Sequence, residues 1–384
     1  MKAGRDIVCV GFSDWANELQ TNEQHLLRRM APDNRILFVE SLGLRRPQVA
    51  SRDIRRVGRR LVRGLQPPRA VDGLHVLSPL VLPYHGNSAI RRINAEILPR
   101  LVVGAVKRMG LRDVLLWSFV PQAEVLLDAL RPATVLYYID DDHGSKPGID
   151  AAAFDAAEKR FAPQADVILA SAPDLVEKLA RLNPNVEFAP NVADTQLFAT
   201  ALRDGVVDSA VARLPGPRIV FVGSINASSI DIDLVTRLCA LRPAWSFVFV
   251  GPRAPGDPRT DIGALERTPN LHLLGSRPYQ QLPDVLRGAD VALLPYQTGG
   301  ALRSVFPMKT YEYLAAGLPV VTTPLPALAD VAEVVRAATP EQMALAIESE
   351  LAADTPERRA ERSRAARSHS WESRIDQINR ATSR

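Results

Sequence analysis

The chain has 384 residues, 46% of them hydrophobic and 23% charged, with a net charge of +4; this is the composition of a soluble globular protein long enough for two cores. No apolar run approaches the ~20 residues of a membrane span, and the start Met1-Lys2-Ala3-Gly4-Arg5-Asp6 leads directly into Ile7–Gly11, too short for a signal-peptide core. The only cysteines, Cys9 and Cys239, fall in a predicted strand and a predicted helix far apart in sequence, which argues against a disulfide framework or cysteine metal site and fits a reducing cytosol.

Ile7–Gly11 predicts a first strand, broken by Phe12-Ser13-Asp14-Trp15; a polar helix runs to about Met30 and a second strand spans Ile36–Glu40. That order opens an α/β domain. Of the Gly-x-Gly-x-x-Gly fingerprint that cradles a dinucleotide, the first turn has Gly11 alone, which argues against a nicotinamide or flavin enzyme. From Arg45 to Arg69 nine arginines stand against one acid, Asp53, with Ile54, Val57, Leu61 and Leu65 at helical spacing between them. An apolar stripe with basic flanks suits an anionic membrane surface; a solvated helix face and a nucleic-acid contact are the alternatives.

A short strand near His75–Leu77 follows, then an amphipathic helix from about Ile90 to Met109, and strands at Asp113–Trp117 and Thr134–Ile139 flanking a helix around Ala123–Leu130. At the end of the second of these strands stands Asp140-Asp141-Asp142-His143, where open α/β sheets bind ligands. Asp140 with Asp142 forms an Asp-x-Asp pair that suits a divalent metal; a capped loop before the helix at Ile149–Phe161 is the plain alternative. Strand Val167–Ala170, a helix to about Leu182 and a Pro190-Asn191 turn lead to a mixed linker, Ala201–Pro217. Arg218–Val222 then predicts a strand ended by Gly223, whose lack of a side chain lets a ligand approach the backbone at Ser224. Further strands are expected at Trp245–Val250, Leu271–Leu274 and Asp290–Pro295, and a charged helix at Glu357–Arg367.

The chain is organised around Pro307-Met308-Lys309-Thr310-Tyr311-Glu312-Tyr313-Leu314-Ala315-Ala316-Gly317-Leu318-Pro319-Val320-Val321. Good helix formers end at Gly317, which suits a left-handed cap; Pro319 stops the helix and Val320-Val321 begins a strand. Lys309 and Glu312 lie three apart and project side by side. A nucleotide-sugar wants a cation at its diphosphate and a carboxylate at its ribose diol, so the pair fits such a donor; an ordinary helical ion pair is the alternative.

This stretch resembles the signature helix of GT-B glycosyltransferases of the family-four-like group (glycosyl transferases group 1) that builds bacterial polysaccharides of the teichuronic-acid type. The resemblance implies an α/β fold of two doubly wound parallel-sheet domains facing a cleft. Residues 1–200 would form the acceptor-side domain and 201–360 the nucleotide-sugar domain, with 361–384 as a final helix crossing back. It implies that Glu312 holds the ribose and Lys309 the diphosphate. A second Glu, eight residues earlier in the family, is Ser304 here, so the Glu-x7-Glu pair is half missing. The loop at Gly275-Ser276-Arg277-Pro278-Tyr279 resembles the one that cups the base. The Gly223-Ser224 loop lacks the basic residue many relatives carry, leaving Lys309, Arg253 or Arg303 to meet the diphosphate. Asp141 and Asp142 match a loop that faces the reacting sugars, and Asp14, Trp15 and His25 resemble acceptor-side residues. The implied reaction is transfer from a UDP- or GDP-sugar to a glycan or lipid-linked acceptor, with retention by family precedent. It needs no metal or other cofactor and no nucleic acid, and would take place in the cytoplasm or on the inner membrane face. A nucleotide-sugar epimerase of the same fold and a membrane-surface scaffold are the rival readings.

Overall fold

The structure, a computed structural model, describes residues 4–16, 21–42, 67–81, 87–146, 148–253, 261–299 and 305–383. The arginine-rich segment from Arg45 to Gln66, and also Arg303 and Ser304, lie outside the described residues. The chain divides into two compact units, one of residues 1–190 with 375–384 and the other of residues 191–374.

In the first unit the strands are β1 (Asp6–Val10), β2 (Arg35–Val39), β3 (Arg69–Val71), β4 (Leu74–Leu77), β5 (Leu115–Ser118), β6 (Thr134–Ile139), β7 (Val167–Ala170) and β8 (Val186–Phe188). They form one sheet in the order β3-β4-β2-β1-β5-β6-β7-β8, parallel except for the β3–β4 hairpin. The hairpin turns on Asp72-Gly73, both at positive φ, as an Asp-Gly two-residue turn requires. β1 is buried along its whole length, with Val8 opposite Leu37 on one side and Leu116 on the other. Continuous apolar runs such as Ile7-Val8-Cys9-Val10 are what a parallel strand covered by helices on both faces demands. The helices include α1 (Asn22–Met30), α2 (Ser88–Met109) and α3 (Ala151–Phe161). The helix expected at Ala123–Leu130 is a 3-10 turn, Pro121–Leu126, with one α-helical turn after it.

The second unit holds β9 (Arg218–Val222), β10 (Ser246–Val250), β11 (Leu271–Gly275), β12 (Val291–Leu294), β13 (Val320–Thr322) and β14 (Val334–Arg336), all parallel, in the order β11-β10-β9-β12-β13-β14. Its helices include α4 (Ile232–Leu241), α5 (Lys309–Ala315), α6 (Pro340–Ala353) and α7 (Pro356–Ala366). Gly317 takes φ 79° directly after α5, as its place before Leu318-Pro319 suggests. The unit begins ten residues before the expected boundary at 200, because Phe198 and Ala201 pack into its apolar core. Nor does the whole segment 361–384 leave this unit. Arg362 on α7 is buried against Asp354, Glu350 and the Gly317 carbonyl, and only from Ile375, within helix α8 (Trp371–Ala381), does the chain rejoin the first unit. There Arg5 donates to the Thr382 hydroxyl and Gln377 to the Phe188 carbonyl.

In each sheet the chain runs outward from one strand and then restarts on that strand's other side, between β1 and β5 and between β9 and β12. Crevices at the carboxyl ends of such strand pairs are where open α/β sheets bind ligands.

Candidate functional site

At the switch point of the second unit, β9 ends in Val222-Gly223. A Cβ added to Gly251 would stand 1.8 Å from the Gly223 carbonyl oxygen, so the ends of β9 and β10 meet backbone to backbone. Helix α5 is pinned here by Tyr313, whose hydroxyl accepts from the Val222 amide at 2.7 Å. Burial holds the Tyr313 phenol far above its ordinary value, and the Val222 bond opposes that rise.

One residue before that pin, Glu312 is 1% exposed. Lys309 Nζ lies 3.1 Å from Oε2, in a geometry that makes an ion pair without an aligned hydrogen bond, and the Tyr279 hydroxyl donates to Oε1 at 3.3 Å. Tyr279 itself sits edge-on to Phe198, 5.5 Å between ring centres. Tyr296, just past β12, is pushed above the ordinary tyrosine range by burial and then by the Glu312 charge. Lys309, Glu312 and Tyr279 are thus brought together at the strand ends, the carboxylate deep and the ammonium about a quarter exposed. A buried carboxylate held by one cation and one phenol can exchange those partners for the hydroxyls of a ligand.

Three other expected donor contacts have partners elsewhere. Arg277 donates to Asp208 at 2.7 Å and to the Leu274 carbonyl at 2.8 Å, and this bond holds Asp208 below the usual carboxylate range. Arg253 lies 3.2 Å from Glu266 and donates to the Leu273 carbonyl. Ser224 Oγ accepts from Asn226 at 2.8 Å.

The first unit has its own cluster at its switch point. Asp141 pairs with Lys146 at 2.8 Å, and Asp142 accepts from the Ser145 hydroxyl. Asp140 turns inward, taking Asn22 Nδ2 on one oxygen and His143 Nε2 on the other, each at 2.9 Å. The Asp-x-Asp pair is therefore split between separate partners. Burial would raise the Asp140 carboxyl, but His143, Lys146 and Asn22 together carry it below its ordinary value. Of the expected acceptor-side residues, Trp15 and His25 are interior, 3% and 4% exposed. Trp15 stands edge-on to Phe38 and donates its ring N–H to Asp72 at 3.0 Å, so its amphipathic ring packs rather than presents a face. Asp14 is half-buried.

Sequence reasoning missed Glu23 and the pairing of Asp140 with His143. Glu23 is 2% exposed; its Oε1 accepts from the Phe12 amide at 2.6 Å and its Oε2 from the Ser13 hydroxyl at 2.8 Å. Burial, with the Asp140 charge behind it, pushes the Glu23 carboxyl up to about 7. The Thr21–Gln24 capping box, visible as Thr-x-x-Gln, marks the start of α1 but not the inward turn of the residue beside it.

Residues 216–353 match the family described as Glycosyl transferases group 1. A curated relative, the putative teichuronic acid biosynthesis glycosyltransferase TuaH of Bacillus subtilis (strain 168), is 30% identical over 176 residues, 44% of this chain and 43% of that protein; the match thus spans less than half of the relative's length. Among solved structures, sucrose-phosphate synthase from Thermosynechococcus elongatus superposes with a TM-score of 0.68 at 15% identity over 98% of each chain. Anabaena HepE in complex with UDP and glucose does so with 0.65 at 12% over 99% of each, and α,α-trehalose 6-phosphate synthase from Burkholderia multivorans with 0.68 at 13% over 99% and 98%. The expected resemblance and the two-sheet GT-B fold are borne out.

Proposed function

We propose that the protein, whose residues 216–353 match the Glycosyl transferases group 1 family, transfers a sugar from a UDP- or GDP-sugar to a glycan or lipid-linked acceptor in cell-surface polysaccharide synthesis. The observation that carries this reading is the Lys309–Glu312–Tyr279 constellation at the switch point of the second unit. Glu312 takes the ribose diol and Lys309 leaves it for the diphosphate. The Gly223-Ser224 backbone lies at the bare end of β9, where the missing side chain lets the phosphates approach. Charge develops on the leaving diphosphate as the glycosidic bond breaks, and a cation placed there lowers the barrier to an oxocarbenium-like transition state. A structural neighbour bound to UDP and glucose supports a uridine nucleotide, and the teichuronic acid relative supports a polysaccharide product.

In this reading the donor sugar is a hexose transferred with retention, no metal is required, and Asp141 and Asp142 face the reacting sugars. The Arg45–Arg69 segment would dock the enzyme on an anionic inner membrane surface, where a lipid-linked acceptor resides. Among the described residues no helix is long and apolar enough to cross a membrane. A thermal-shift screen over nucleoside diphosphates and nucleotide-sugars tests the reading, since a ligand that binds the folded state raises apparent stability by mass action. Selective stabilisation by one nucleotide is expected; indifference to all of them refutes it.

A further inference from the structure

The proposed donor chemistry uses nothing of the Glu23 cluster. Yet a carboxyl 2% exposed at the carboxyl end of a sheet carries a desolvation penalty that ordinary packing would avoid. Its contacts say what it holds. Both oxygens face the loop after β1: the Phe12 amide at 2.6 Å, the Ser13 hydroxyl at 2.8 Å and the Ser13 amide at 3.4 Å. The loop has no slack, because a Cβ on Gly11 would stand 2.3 Å from the Phe38 ring and 2.9 Å from Glu23 Oε2.

That loop in turn positions Phe12. Its ring lies flat on the His143 imidazole, 3.9 Å between centres and 6° between planes, and Lys146 sits 4.7 Å from the centre of the Phe12 ring. His143 is 3% exposed. Its Nε2 meets Asp140, while its Nδ1 is buried with no hydrogen-bond partner among the described residues. β5 lies between β1 and β6 in the sheet, so the Phe12–His143 stack bridges the two strand ends at the switch point. The neighbouring residue on α1, Asn22, donates to the other oxygen of Asp140. Two consecutive residues of one helix thus hold the two sides of the same pair: Asn22 directly and Glu23 through the loop.

We propose that Glu23 is a positioning residue that sets the orientation of the Asp140–His143 pair through the Phe12–Ser13 loop. Among the described residues, the charged and titratable groups facing it are Asp140 from the end of β6, with His143 and Lys146 behind that carboxylate, and Cys9 from β1. Burial and the Asp140 charge bring its carboxyl to about 7. Its proton is therefore exchanged within the neutral range, and with it the strength of its hold on the two loop amides. His143 feels that exchange as a change in how closely Phe12 covers it.

The test needs neither donor nor acceptor, so its outcome is independent of the glycosyl-transfer reading. The intact protein is labelled at histidine and the His143 Cε1–Hε1 resonance assigned by its loss in His143→Gln. A face-to-face phenyl ring shields that proton, so the resonance stands upfield, and Phe12→Leu, which removes the ring, defines the unshielded position. Glu23→Gln is expected to move the resonance most of the way to that position. In the wild type the shielding is expected to change with an inflection at about pH 7 that Glu23→Gln lacks. The proposal is overturned if Glu23→Gln folds and keeps the wild-type shielding across that range. If that variant fails to fold, Ser13→Ala decides the matter, since it leaves the carboxyl and takes away one donor. Partial loss of shielding supports the proposal and unchanged shielding overturns it.

Discussion

Replacing Glu23 by Gln should change how stability depends on pH, and the burial of the carboxyl beside Asp140 sets the sign. A carboxyl raised from 4.5 to about 7 in the folded state binds its proton more tightly folded than unfolded. Stability is therefore lost as pH rises from 4.5 towards 7, and the loss is complete above 7. At about 1.4 kcal/mol per pH unit, that rise corresponds to about 3 kcal/mol, most of which falls between pH 5 and 8. Glutamine cannot ionise, so the variant lacks this dependence. It also places an amide NH₂ against the donors of Phe12 and Ser13, which costs about 1–3 kcal/mol at every pH. The clean quantity is thus the difference between the two proteins as a function of pH. Urea unfolding of both at pH 5, 6, 7 and 8, followed by tryptophan fluorescence, should show that difference moving by roughly 2–3 kcal/mol in favour of the variant. A difference constant across the four pH values would refute a buried carboxyl that titrates near neutrality.

Tyr313→Phe removes the acceptor of the Val222 amide and should destabilise the second unit by about 1–3 kcal/mol in the same unfolding experiment. If Asp141 and Asp142 face the reacting sugars rather than a metal, transfer activity should survive EDTA and fall on substitution of either residue by Asn; loss in EDTA restored by Mn²⁺ would favour a metal. If the arginine-rich segment docks on membranes, the protein should co-sediment with phosphatidylglycerol but not phosphatidylcholine vesicles, and less so as salt shortens the ~10 Å screening length at 0.1 M. The Arg55, Arg56, Arg59 and Arg60 to Glu variant should then stay in the supernatant.

The strands were legible because each is a short apolar run bounded by turn residues, as at Ile7–Gly11 and Arg218–Gly223. The Lys309–Glu312 contact followed from helical spacing alone. What spacing does not encode is direction across the fold. Asp140, Asp141 and Asp142 are one residue type in a row, and only the packed structure separates the inward Asp140 from its two outward neighbours. The partners of Arg277 and Arg253, Asp208 and Glu266, are 69 and 13 residues away in sequence, and Asp72, which takes the Trp15 ring N–H, is 57 residues on, so none of these pairings is visible in local spacing. The β3 strand was missed for a related reason: three residues carry no period, and the Asp72-Gly73 turn that creates the hairpin is its only signal.

The central claim is that the second unit binds a nucleotide through Glu312. Titration calorimetry of UDP and GDP against the wild type and Glu312→Gln tests it most directly. Loss of a charge-assisted hydrogen bond costs roughly 1.5–3 kcal/mol, so the variant should bind its preferred nucleotide about ten- to a hundredfold more weakly while its second unit stays folded. Equal affinity in the two proteins, or no binding by the wild type, would contradict it.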